Sequence, residues 1–234
     1  MKRFDNDLAY LQQRIHEMGD LARAMVVLAA QAVKDRTTDV FDDMAALESR
    51  LNRMQMEIDH HAIRMLTVYG PVAADLRYVL VATHMTSQLE RMGDQCTNVC
   101  ESLRLMTSDP QQHPMLAKLP KMADLVCEIV DDSLAAFFSR NVEKAVVTRA
   151  HDDLVDALNE QIMKELLTDD VLQEVLAGAR GIADAVAQIL IARYLERVAD
   201  QATNICKEVI YMVRGDDVRH TPKSPRPQTE ADPG

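Results

Sequence analysis

The segment Leu89–Cys100, LERMGDQCTNVC, returns 106 positions later as Leu195–Cys206, LERVADQATNIC. Eight of the twelve positions are identical, and six of those eight are polar: Glu, Arg, Asp, Gln, Thr and Asn. Set Glu90 at zero and advance about 100° per residue. Met85, Leu89, Met92, Cys96, Val99 and Leu103 then share one sector at about 180–260°, while Glu90, Asp94 and Asn98 lie at about 0–80°. Glu196, Asp200 and Asn204 repeat the second sector, and Ile191, Leu195, Val198, Ala202, Ile205 and Val209 repeat the first. One amphipathic helix therefore occurs twice in the chain.

Outward from these two copies the helical period continues almost without interruption. The first half predicts helices over 5–35, 39–68 and 72–107, with Gly70-Pro71 ending the second because proline opens a helix but cannot continue one. The stretch SDPQQHP at 108–114 has two prolines and no apolar residue, so it reads as a linker. Helices resume over 115–139, 141–167 and 179–213, with an extra turn or two over 168–178 capped by Thr168. From 216 the Pro-rich RHTPKSPRPQTEADPG region reads as a disordered tail. The expected fold is all-α: a three-helix repeat over 1–107, the linker, and a second over 115–215.

Composition agrees with helices. Aromatic residues make up only 4%, there is no Trp, and Met reaches 14 residues, where a sheet would call for aromatic and β-branched side chains. A net charge of −11 speaks against a nucleic-acid partner, which needs clustered Lys and Arg. The amino-terminal MKRFDNDLAYLQQR lacks the apolar centre of a signal peptide, and no apolar run reaches the ~18 residues of a membrane span. Cys96, Cys100, Cys127 and Cys206 are expected to be reduced, buried small hydrophobes of a cytoplasmic protein.

Acids at i and i+4 on the outer face of a helix are ordinarily solvated surface, yet like charges so spaced destabilise a helix by a few tenths of a kcal/mol. Packing gives no reason for an outward face to match between diverged copies while the core drifts among Met, Val, Ala and Ile. The acid pairs Glu90/Asp94 and Glu196/Asp200 are therefore candidate metal ligands. Carboxylates and amides are hard oxygen donors suited to Mg²⁺, Mn²⁺, Ca²⁺ or iron. Two ligands per helix are few, so Glu48 and Asn52 of the second helix and Asp152 and Asp156 of the fifth are second-tier candidates, with Asn98 and Asn204.

Glu57-x-x-His60 is half of a di-iron motif, but no second copy exists and His60 falls on the side away from Leu51, Met54 and Ile58. His61 and His84 read as structural histidines. No phosphate-binding glycine loop and no nucleophile beside a base is present, so no catalytic residue is expected. A carboxylate-bridged metalloenzyme and a metal-free helical scaffold remain as alternatives.

The motifs LERMGD at 89–94, LERVAD at 195–200 and ADLRYVL at 74–80, with the duplicated six-helix plan, resemble the PhoU family of bacterial phosphate-signalling regulators. The resemblance spans about 5–215. It implies multinuclear metal clusters at the two acid-x-x-x-Asp motifs and no enzymatic activity. It also implies a negative regulator of the phosphate-starvation response that modulates phosphate uptake. Such a regulator links the ATPase component of the phosphate ABC transporter to a sensor histidine kinase. Homodimerisation, and contact with the membrane only through partners, are implied as well. Ala199 stands where the first copy has Gly93, and the Pro-rich tail has no counterpart in the resemblance.

Overall fold

A computed structural model describes residues 2–106, 115–168 and 181–218. Among them, seven helices occur: α1 (Lys2–Asp35), α2 (Phe41–Tyr69), α3 (Ala73–Leu103), α4 (Lys118–Ser139), α5 (Val142–Ala150), α6 (Asp152–Leu166) and α7 (Ile182–Arg214). No strand accompanies them among the described residues, and the fold is all-α as expected. The linker 108–114, the turns expected over 169–178 and the tail beyond 218 lie outside the described residues. Thr168, expected as an N-cap, donates its hydroxyl back to the Glu165 carbonyl at 3.0 Å.

The ends are set by local chemistry. Gly70 closes α2 in the left-handed region (φ 53°), its N–H bonding the Leu66 carbonyl, and Gly215 closes α7 the same way (φ 81°). α1 and α4 both end on an arginine in that region, Arg36 (φ 49°) and Arg140 (φ 51°). Beyond each, the next N–H reaches back to the carbonyl five residues earlier, Thr37 to Ala32 and Asn141 to Ala136. Asn141 then caps α5, its side-chain oxygen accepting from the Lys144 N–H at 2.8 Å.

One expected element differs. The helix predicted over 141–167 is broken at His151, whose N–H bonds Thr148 three residues back and whose carbonyl accepts from Leu154. This 3₁₀-type tightening separates α5 from α6 without any Gly or Pro.

α1, α2 and α3 form one bundle; α4, α5, α6 and α7 form the other. The halves share one continuous core, because α3 lies along α7 more extensively than along any helix of its own bundle. The two run antiparallel: His84 Nδ1 lies 3.1 Å from Glu208 Oε2, and Asn204 Nδ2 donates to Gln88 Oε1 at 3.4 Å. Beside this seam α1 packs on α4, held by Arg23–Asp131 and Lys34–Asp124 ion pairs. Swapping the halves exchanges α1 with α4 and α3 with α7, an approximate twofold relation.

The cysteines are free. Burial pushes the Cys100 and Cys127 thiols up to about 11 and that of Cys206 up to about 12, so they stay protonated. They pack as apolar groups.

Candidate functional site

The apolar positions of both motif copies are buried: Met85, Leu89, Met92, Cys96 and Val99 in α3, and Ile191, Leu195, Val198, Ala202 and Ile205 in α7. Their burial fixes the rotation of each helix and carries the acidic sector to one flank. That flank is less open than a single-helix projection suggests. Glu90, Asp94, Asn98, Glu196 and Asn204 are half-buried, and Asp200 is exposed.

The partial cover comes from α2 and α6. α2 runs antiparallel to α3, with Thr86 donating to Asp59 at 2.8 Å and Thr97 to Glu48 Oε2 at 3.0 Å. This register sets Glu48 and Asn52 beside the Glu90/Asp94 pair. In the second half Asn159 Nδ2 donates to Glu196 Oε2 at 3.0 Å. The two registers agree if α2 maps onto α6 with an offset of 104 while α3 maps onto α7 with 106. Asp152 and Asp156 thus correspond to Glu48 and Asn52, and Asn159 corresponds to Gln55. Each acidic pair sits in a seam between two helices of its own bundle.

Electrostatics in the seams are unfavourable to the bare carboxylates. Burial pushes the Glu90 carboxyl up, and Asp94 and Glu48 push the same way against a small opposing effect of Arg91. Asp94 is raised by burial and by Glu48. Glu196 is raised by burial, Asp200 and Asp156, with Arg193 opposing and Asp152 adding a little. Two amide oxygens at the seams, Asn52 Oδ1 and Asn159 Oδ1, are buried without a hydrogen bond; so are the repeat-equivalent Gln95 and Gln201 Oε1, on the sides that α3 and α7 turn toward each other. Buried acceptors without donors are uncommon and costly. Beside Glu196 and Asp200 an open cavity of about 410 Å³ is lined also by Asn159, Arg193 and Arg197.

A cation suits this donor set, which is all oxygen, in excess of negative charge, and includes acceptors lacking donors. Among the described residues, however, no three His, Cys, Asp or Glu side chains are grouped closely enough to hold an ion by themselves. The carboxylates line the seams rather than converge on a point.

The remaining expected residues fall as follows. Asp152 is buried at the start of α6. Asn204 is drawn into the contact between halves, its oxygen accepting from Lys207 Nζ at 2.9 Å while its amide donates to Gln88. Asn98 stays on the flank, farther from α2. Asn159, which bonds Glu196, was not among the candidates, and no motif copy contains it. Glu57 is exposed and paired with Arg14, and His61 meets the Asp7 carbonyl at 3.0 Å.

With this geometry in place, a family model described as the PhoU domain matches the chain twice, over residues 15–103 and 119–209. A 30% identical relative from Aquifex aeolicus, a homologue of phosphate-specific transport system accessory protein PhoU, aligns with 94% of this chain and 96% of its own. The protein of that name from Escherichia coli is 27% identical over 93% of this chain and 88% of its own. A crystal structure of PhoU from Pseudomonas aeruginosa, 25% identical, superposes with a TM-score of 0.80 over 91% of this chain and all of that one.

Proposed function

The chain belongs to the PhoU family, and from that premise we propose that it acts as an accessory regulator of phosphate transport. In this reading it restrains the phosphate-starvation response when phosphate is plentiful. It does so by coupling the ATPase component of the phosphate ABC transporter to a sensor histidine kinase. It works in the cytoplasm as a homodimer and performs no catalysis. No helix among the described residues is long and apolar enough to cross a membrane.

The observation that carries the metal-dependent part of the proposal is the pair of seams with raised carboxylates and donorless amide oxygens. Glu90 and Asp94, with Glu48 and Asn52, would hold a divalent or iron-type ion in one seam. Glu196 and Asp200, with Asp152 and Asp156, would hold it in the other. The ion would offset the mutual repulsion of the acids and set the charge of a partner-facing surface. The test is metal content per chain for the intact protein and for Glu90→Ala/Asp94→Ala. Loss of about half the bound metal is expected, and unchanged content refutes the assignment. In cells, the same variant should release the starvation response at high phosphate.

The absence of a closed ligand group among the described residues favours a second reading. Here the acidic seams dock basic partner segments directly. Transporter or kinase binding that survives chelator would select this reading.

A further inference from the structure

The two acidic seams share their motif acids and differ in their cations. Arg197 of α7 repeats Arg91 of α3, but Arg193 stands where α3 has Ser87. The second seam therefore carries two arginines one turn apart, a like-charge spacing that weakens a helix. Both are exposed, and neither makes an ion pair among the described residues, although Glu196 and Asp200 lie within a turn of them. Arg197 lies instead over the Tyr194 ring at 5.7 Å. Arg193 is near enough to Glu196 to oppose the rise of its carboxyl.

Both guanidiniums line the open cavity of about 410 Å³ beside Glu196 and Asp200, with Met163 and Ile189 as its apolar lining. At ~30 Å³ per water, an ion with its hydration shell would fill about half of this space. The seam's own side chains also leave an ion under-supplied. Among the described residues no three acids are grouped closely enough to hold one by themselves, whereas hard cations take about six oxygen ligands. Asn159 Oδ1, buried without a hydrogen bond, offers one more. The cavity has room for a group that brings the rest, and its two arginines select an anion.

We propose that the second seam binds a phosphate group as a further ligand of its metal ion, with Arg193 and Arg197 gripping the outer oxygens. The first seam, with Ser87 in place of Arg193, holds its ion without one. A guanidinium fits phosphate with two parallel hydrogen bonds, and a cation between the anion and the carboxylates removes the repulsion that would exclude it. A tetrahedral anion can give oxygens to the ion on one side and to two arginines on the other. The inference rests on the metal-dependent reading. Because the cavity is open, the phosphate group can belong to the free ion or to a monoester.

The test loads the full chain with Mn²⁺, removes excess ion, and dialyses it to equilibrium against radiolabelled inorganic phosphate, with manganese and phosphate counted in the same samples. Saturable phosphate binding is expected with metal and none after chelation. Arg193→Ser imports the first seam's residue at an exposed position; it should keep its manganese and bind phosphate about tenfold or more weakly. Arg91→Gln, in the first seam, should leave phosphate binding unchanged. Sulfate, whose oxygens are less basic toward a metal, should compete poorly. Displacement of the label by phenyl phosphate at comparable affinity assigns the site to monoesters as well, and displacement by inorganic phosphate alone assigns it to the free ion. If the unsubstituted protein retains no manganese, the metal-dependent reading fails and this inference falls with it. Manganese without phosphate binding, equal phosphate binding in Arg193→Ser, equal loss in Arg91→Gln, or equal displacement by sulfate overturns this inference and leaves that reading standing.

Discussion

The two halves solve one packing problem in two ways. Gly93 of α3 lies against α2 so closely that a Cβ there would overlap Leu51 Cδ2 and press on Met25. In α7 the equivalent residue is Ala199, fully buried, and the position matching Leu51 is the smaller Val155. A methyl added to one helix is balanced by a methylene removed from its neighbour. The change from Gly to Ala therefore cannot be judged on the helix that carries it; the facing helix decides whether it is tolerated.

The sharpest break in the likeness is at the helix ends. Asp184→Ala removes the buried carboxylate that half-buried Arg36 bonds and is expected to lower unfolding stability by about 2–4 kcal/mol. Arg140→Ala, at the matched position, is exposed and should cost under about 1 kcal/mol. Urea denaturation of both variants reads the contrast, and equal losses would mean that the two ends are not organised differently.

A smaller effect is expected in the core. Gly93→Ala should destabilise by about 1–3 kcal/mol through overpacking. Adding Leu51→Val, which imports the second half's pair, should recover most of that loss. A double-mutant cycle measures the coupling, and additive losses would show that the two positions do not meet.

The smallest effect concerns charge. Glu90, Asp94 and Glu196 have folded-state carboxyl groups raised above their ordinary values of 4.5, 3.8 and 4.5. The folded state thus holds protons that the unfolded chain has released just above the ordinary carboxylate range. In that window stability falls as pH rises, and the penalty persists at neutral pH. Without metal, Glu90→Gln or Glu196→Gln should stabilise the protein at neutral pH by a few tenths of a kcal/mol, about the size of an i,i+4 like-charge repulsion. The gain should vanish on acidification below the ordinary carboxylate range. Divalent cation should reverse the order, favouring the unsubstituted protein. Melting curves across pH, with and without cation, test both statements.

The helices were legible because burial of one face imposes the 3.6-residue period wherever a helix packs. The break at His151 was not, since VTRAHDDL contains neither Gly nor Pro and the tightening depends on local bonding. The acid pairs were legible through the duplication, which supplied a second copy against which drift could be judged. Their partial burial was not. A projection down one helix knows only its own axis, and the cover over Glu90 and Glu196 comes from α2 and α6. The register that set Glu48 and Asn159 there is a fact about pairs of helices.

By itself, the sequence determined which faces pack and that two segments share a polar face. Those properties follow from side-chain chemistry at fixed angular spacing. Only the tertiary structure decided what each face meets: that the repeated acids lie in half-buried seams, that Gly93 needs its missing methyl, and that Arg36 finds a carboxylate where Arg140 finds the ring of Tyr78. Contacts between elements depend on register and on the volumes facing each other, and neither is written in the periodicity of a single helix.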